Sequence, residues 1–135
     1  MPAPSPTDIL KDLLDPFDVE DLVFVYLQCE RGYLVLPASR RTNTAAYEYV
    51  LVNPDTRQQA IVQIRTGDAP VPLDELLSGA NTIHKAFAYS ARGLYDGDQE
   101  GRVERLTDDE LLRFALERPY ALPPRVYEWL QDHAS

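Results

Sequence analysis

Three polar side chains, Glu48, Gln63 and Arg65, stand among apolar neighbours in the stretch YEYVLVNPDTRQQAIVQIRTG, which runs from Tyr47 to Gly67. Two runs of β-branched and aromatic residues flank turn residues here, so the stretch is predicted to form a β-hairpin. A carboxylate, an amide and a guanidinium that meet on a hairpin can form a cross-strand ion pair bridged by the amide, or they can constitute a functional site. Both interpretations require the three side chains to share one face.

The turn predicts the register of the hairpin. Pairing Asn53 with Gln58 across a four-residue loop places Glu48 directly opposite Gln63. Arg65 lies two residues beyond Gln63, so it projects from the same face, within diagonal reach of Glu48. Because both faces of the hairpin are apolar, it is predicted to lie in the middle of a sheet covered by helices. The apolar residues are Val50, Val52 and Ile61 on the face of the polar group, and Tyr47, Tyr49, Leu51, Val62 and Ile64 on the other.

The remaining elements must hold this hairpin in place. A first helix is predicted over VEDLVFVYLQCER, capped by Asp18 and stopped by Gly32, with Cys29 as a buried thiol. A strand (YLVLPAS) precedes the hairpin, and a short helix (PLDELLSG) and a strand (KAFAYSA) follow it. Thr107 and Glu110 form a capping box for DDELLRFALER, and PPRVYEWLQDH is the last helix. The core face of the first helix is predicted to be Val19, Leu22, Val23, Tyr26 and Leu27.

Length and composition indicate one globular domain, since the chain has 135 residues, of which 44% are hydrophobic and 26% charged. We expect residues 1–6 to form a mobile tail and residues 7–135 a single α/β domain, with a core over about 18–91 and a helical part over about 107–133. The longest apolar run, LVFVYL, is too short to span a bilayer, and the N-terminus has no hydrophobic signal core. We therefore expect a cytoplasmic protein with no membrane partner.

The formal net charge of −9 bears on the partner. Strong negative charge repels a phosphate backbone, so it counts against nonspecific affinity for nucleic acid. It is compatible with a basic protein partner.

The order of helix, three strands, helix and strand, with an acid on the second strand and the stretch VQIRTG on the third, resembles the PD-(D/E)XK nuclease superfamily. The resemblance covers roughly residues 18–91. It implies a restriction-endonuclease-like αβββαβ core, a central mixed sheet flanked by helices, to which this chain adds C-terminal helices.

The resemblance also implies roles for the polar group. Glu48 and Gln63 would be ligands of Mg²⁺ or Mn²⁺, the backbone carbonyl of Ile64 would be a third ligand, and Arg65 would stand where the family has a catalytic lysine. Arginine stays charged at any usable pH, so it cannot act as a base, although it can anchor a phosphate or stabilise a charged transition state. A single carboxylate beside an amide is also a weak ligand set for a hard cation.

Three further basic residues are candidates for phosphate binding. Arg40 and Arg41 lie in the loop before the second strand, and Lys85 begins the strand after the predicted short helix. The alternative is that the two arginines are solvated loop residues and that the lysine protects a strand end.

Two functions from different classes remain. The first is a small nucleic-acid-processing domain of the PD-(D/E)XK type, with a weak or degenerate metal-dependent phosphodiesterase site. The second is a noncatalytic acidic interaction protein on the same scaffold, such as an inhibitor or an accessory subunit. The polar group favours the first, and the net charge favours the second.

Overall fold

The computed structural model describes residues 15–36, 49–73, 83–97 and 101–133. Within these ranges the chain is an α/β protein with a central mixed sheet and three α-helices, as predicted at the level of class. The elements are α1 (Pro16–Arg31), β1 (Leu34–Val35), β2 (Tyr49–Val52), β3 (Gln59–Arg65), β4 (Val71–Pro72), β5 (Ile83–Ser90), β6 (Tyr95–Asp96), β7 (Val103–Arg105), α2 (Asp108–Glu117), a 3-10 turn (Pro119–Ala121) and α3 (Pro124–His133).

The hairpin formed by β2 and β3 has the predicted register. Tyr49 pairs with Val62, and the pairing continues without a shift to the turn. There the Asn53 N–H donates to the Gln58 carbonyl at 2.9 Å, and Asn53 Oδ1 accepts from the Asp55 N–H at 2.9 Å. An asparagine that bonds its own turn in this way favours the tight loop locally, so the register follows from the turn sequence.

The five-stranded sheet has the order β1-β2-β3-β5-β7. Strand β2 pairs antiparallel with both β1 and β3, whereas β5 joins β3, and β7 joins β5, in parallel. Strands β4 and β6 form a separate two-stranded parallel sheet. Because β3, β5 and β7 are parallel, their carboxyl ends meet at one edge, which we call the carboxyl edge.

A register shift interrupts the pairing of β3 with β5 near its start. Gln59 pairs with Ile83, but the next residue, Ala60, pairs with Lys85, so His84 is skipped. Such a bulge exchanges the faces to which the following side chains point.

The sheet is buried on both faces, as predicted for the hairpin. One face, the helix-covered face, packs against all three helices, and the other, the small-sheet face, packs against β4 and β6. The strand residues of the helix-covered face are Tyr49, Leu51, Ala60, Val62, Ile64, Phe87 and Tyr89; those of the small-sheet face are Val50, Ile61, Ile83, Ala86, Ala88 and Val103.

Helix α1 confirms the predicted core face and stop but corrects two other predictions. Asp18 is not the cap, because the helix begins at Pro16 and Asp15 Oδ1 accepts from the Asp18 N–H at 2.9 Å. Proline fits the first turn, where an N–H has no partner within the helix. Cys29 is exposed rather than buried, because it lies about 90° around the helix from the middle of the apolar stripe. Gly32 ends the helix with φ 75°.

The other predicted helices have different outcomes. PLDELLSG does not begin as a helix, since Pro72 belongs to β4, and residues 74–80 lie outside the described ranges. The capping box of α2 is confirmed, because Thr107 Oγ1 accepts from the Glu110 N–H at 3.2 Å and Glu110 Oε1 from the Thr107 N–H at 2.6 Å. The last helix is also confirmed. None of the helices in the described ranges is long and apolar enough to cross a membrane.

Candidate functional site

Gln63 and Arg65 lie at the end of β3, next to the carboxyl edge. Gln63 is 1% exposed, whereas Arg65 is partly exposed. With the amide oriented to satisfy both groups, Gln63 Oε1 accepts from Arg65 Nη2 at 2.9 Å and from Arg65 Nε at 3.2 Å. The buried amide therefore holds the guanidinium by two of its N–H groups, and the two side chains share a face as predicted.

Three of the predicted site residues fall on parts of the chain that are not described. Arg40, Arg41 and Glu48 lie between residues 36 and 49. The register is confirmed as far as Tyr49 and Val62. The contact of Glu48 with Gln63 or Arg65 stays a prediction.

Lys85 is described, and the structure does not bring it to Gln63. It pairs with Ala60, near the opposite end of β3 from Arg65. Its Nζ donates to Glu104 Oε1 at 2.8 Å and lies 5.1 Å from the centroid of the Phe87 ring, on the helix-covered face. Lys85 therefore cannot bind the same phosphate as Arg65, and we drop it from the site.

Lys85 belongs instead to a cluster that we call the ionic network, formed by Tyr26, Arg31, Lys85, Glu104 and Glu110. Arg31 contacts both carboxylate oxygens of Glu104, and Tyr26 donates to Glu110 Oε2 at 2.8 Å. Burial would raise the pKa of Glu104, but hydrogen bonds from Lys85 and Arg31 outweigh it and hold the pKa below its usual value. The network ties α1, β5, β7 and α2 together.

Of the predicted metal ligands, Glu48 lies outside the described residues, and the two that are described, Gln63 and Ile64, do not make a cation site by themselves. Gln63 Oε1, which would be a ligand, faces the Arg65 guanidinium, and a cation bound there would be repelled by that charge. Among the residues the structure describes, no group of three His, Cys, Asp or Glu side chains could hold a metal ion. Ile64 contributes its side chain to the helix-covered core and is 3% exposed.

Arginines gather at the carboxyl edge instead. Arg65 ends β3, Arg105 ends β7, and Arg92 follows β5 by two residues. Arg92 Nε lies 3.6 Å from Asp68 Oδ1, and both of these side chains are exposed, so that pair is weak. In a chain with a net charge of −9, an arginine thus lies at or just after the end of each of the three parallel strands.

On the small-sheet face, the part of β5 between these arginines carries small side chains. Gln63 pairs with Ala88, and Ala88 pairs with Arg105, so the three residues form one row across the sheet. Arg65 pairs in the same way with Ser90. Directly paired residues point to the same face, so Gln63 and Arg105 project from the small-sheet face, about 10 Å apart across Ala88.

A cavity of about 530 Å³ adjoins this row. The Arg105 guanidinium lies 5.1 Å from the centroid of the Tyr95 ring, and the Tyr95 hydroxyl accepts from the Ser90 N–H at 3.0 Å. Asp108 Oδ1 accepts from the Tyr89 hydroxyl at 2.7 Å; burial first, and then this carboxylate, raise the pKa of Tyr89. The cavity is lined by Ser90, Gly93, Tyr95, Arg105, Leu106, Thr107 and Asp108.

Sequence reasoning missed the cavity because it missed β7. A strand of three residues has no readable alternation, and its partner β5 is reached only through tertiary pairing. The nearest indication in the sequence was the Thr107 capping box, which places the start of a helix at Asp108, shortly after the VER segment that forms β7. In an open sheet of parallel strands, binding sites lie outside the carboxyl ends of the strands.

Comparison with protein-family models, with curated proteins and with solved structures gives no match for this chain. The geometry therefore defines the class, an α/β domain with a mixed sheet, and the site must be interpreted from its own residues.

Proposed function

We propose that the protein is a small nucleic-acid-processing domain of the PD-(D/E)XK-like type with a degenerate site. It holds nucleic acid through arginines rather than through a metal ion. The observation that carries this proposal is the placement of Arg65, Arg92 and Arg105 at or just after the ends of the three parallel strands.

The contact between Gln63 and Arg65 supports a phosphate-binding role. A guanidinium has five N–H donors, and Gln63 takes two of its nitrogens, Nε and Nη2, from one side. The N–H groups of Arg65 that point away from Gln63 can donate to a phosphate oxygen. Because the amide is neutral, it orients Arg65 without cancelling its charge.

The second candidate, a noncatalytic acidic interaction protein, is favoured by one observation, the net charge of −9. A basic protein partner would be attracted to the molecule as a whole, and salt would weaken that attraction. Nucleic acid would have to bind at one edge against the overall charge.

Fluorescence anisotropy with labelled single-stranded and duplex DNA, in a salt series, separates the two candidates. We expect Arg65→Gln to weaken DNA binding and to reduce the salt dependence of log K by about 0.7 for a single strand, one phosphate contact. The matched control is Arg113→Gln, because Arg113 is exposed on α2 and its loss changes the net charge equally.

Two results would overturn the proposal. In the first, the wild type binds neither DNA at low salt. In the second, Arg65→Gln and Arg113→Gln weaken binding equally, which would mean that only net charge matters. A basic protein partner would then be the better account.

A further inference from the structure

We propose that the cavity at the carboxyl edge accepts an unpaired nucleobase of the strand whose phosphate Arg65 holds, and that Asp108 selects bases with a ring N–H. This inference rests on the proposed function and adds its substrate class, a single strand. The alternative substrate, an intact duplex, keeps its bases stacked and unable to enter a cavity.

The position of the cavity supports this inference. Ser90 lines the cavity and pairs directly with Arg65 on the adjacent strand, about 5 Å away between backbones. Both side chains project from the small-sheet face. A phosphate bound to Arg65 therefore places its nucleotide beside the cavity. The sugar then spans the distance between that phosphate and the base.

The size and lining of the cavity suit a base. Its volume, about 530 Å³, lies within the usual range for small-ligand pockets. The Arg105 guanidinium covers one face of the Tyr95 ring at 5.1 Å from its centroid, and a base can stack on an outer face of this pair, since bases stack on both kinds of group. Leu106, which is 2% exposed, and Gly93 add uncharged lining beside this pair.

The polar groups of the cavity predict which base it prefers. Asp108 is acceptor-only when ionised, and its two carboxylate oxygens can accept several hydrogen bonds at once, the one from Tyr89 among them. Thymine has a ring N–H at N3 that can donate to this carboxylate. Cytosine is of similar size but has a lone pair at N3, which a carboxylate repels. The Tyr95 hydroxyl accepts from the Ser90 N–H, so its own proton can be donated to a base carbonyl.

The test compares short labelled oligo-dT with oligo-dC of the same length by fluorescence anisotropy. We expect the wild type to bind oligo-dT about tenfold more tightly, in the range that one good base contact provides. Asp108→Asn should reduce the preference to about twofold or less, because an amide can donate to cytosine as well as accept from thymine. The amide of this variant keeps an oxygen that can accept from Tyr89, and circular dichroism and thermal melting check that the variant folds.

The control is Asp109→Asn, which changes the same charge on the same turn of α2, at an exposed residue that does not line the cavity. It should leave the preference unchanged. Equal binding of oligo-dT and oligo-dC by the wild type would overturn the inference, whether or not Asp108→Asn folds. So would an equal loss of preference in both variants.

These failures differ from failure of the proposed function. If DNA binding depends on Arg65 but shows no base preference, only the cavity inference is lost. If neither oligonucleotide binds at low salt, both are lost.

Discussion

Two arginines on opposite faces of the same sheet have contrasting surroundings. Arg31 contacts both oxygens of Glu104 and lies 5.9 Å from the centroid of the Phe87 ring, within the ionic network. Arg65 is held by the neutral amide of Gln63. The first arrangement neutralises a guanidinium to join elements, whereas the second orients one and leaves its charge effective. Under the proposed function, the helix-covered face serves stability and the carboxyl edge serves binding.

The largest stability effect is expected from the ionic network. Glu104→Gln leaves Arg31 and Lys85 without their shared carboxylate, so it should lower the free energy of unfolding by about 1–2 kcal/mol, discounted for partial exposure. DNA binding should be unchanged. Urea unfolding measures the first quantity, and anisotropy measures the second. Glu128→Gln, at an exposed position on α3, should change stability by less than about 0.5 kcal/mol.

A pH series sharpens the same comparison. The pKa of Glu104 is lowered on folding, from an ordinary value of 4.5. The stability that ionised Glu104 contributes is therefore fully present above its ordinary pKa and is lost as the pH falls through the lower pKa of the folded state. The stability advantage of the wild type over Glu104→Gln should shrink steadily as the pH falls below about 5. An advantage that is constant across this range would mean that Glu104 does not act through its charge.

At the carboxyl edge, we expect the opposite combination. Arg65→Gln should weaken DNA binding yet change the free energy of unfolding by less than about 0.5 kcal/mol, because the partly exposed guanidinium has only a neutral partner among the described residues. Parallel urea and anisotropy measurements on the same preparations check this. A loss of stability similar to that of Glu104→Gln would show that Arg65 is a structural clamp, as the ion-pair interpretation with Glu48 predicts.

The smallest effect is expected from metal. A metal site at a free-metal concentration of 100 times its dissociation constant would add about 2.7 kcal/mol to the free energy of unfolding, or several degrees to the melting temperature. Since Gln63 Oε1 faces a guanidinium, we expect thermal melts with and without millimolar Mn²⁺ to coincide. A shift of several degrees that Glu48→Gln abolishes would restore the metal-dependent nuclease.

The sequence predicted the features that are determined by residues close together in the chain. The register of β2 with β3 follows from Asn53 and its turn, and the start of α2 follows from Thr107 and Glu110, each within a few residues. The join of β7 to β5 was not predictable in this way, because short parallel strands pair across long connections. The motif correctly indicated Gln63 and Arg65 as neighbours. Lys85 was a separate candidate because it begins its strand, but the bulge turns it to the helix-covered face and the strand direction takes it to the opposite end of β3 from Arg65.

Because the pairing of β5 skips His84, the number of residues in this strand determines which side chains reach the site. Ile83 and Ala86 both face the small-sheet side although an odd number of positions separates them, and only the bulge at His84 permits this. The exposed His84 side chain can be exchanged freely, but the residue cannot be removed. Deleting it would reverse the face either of Ile83 or of every residue of β5 after the bulge. In the second case Phe87 and Tyr89 would point to the small-sheet face, where the small Ala88 and Ser90 side chains now leave room. Substitution of His84 should therefore be tolerated far better than its deletion.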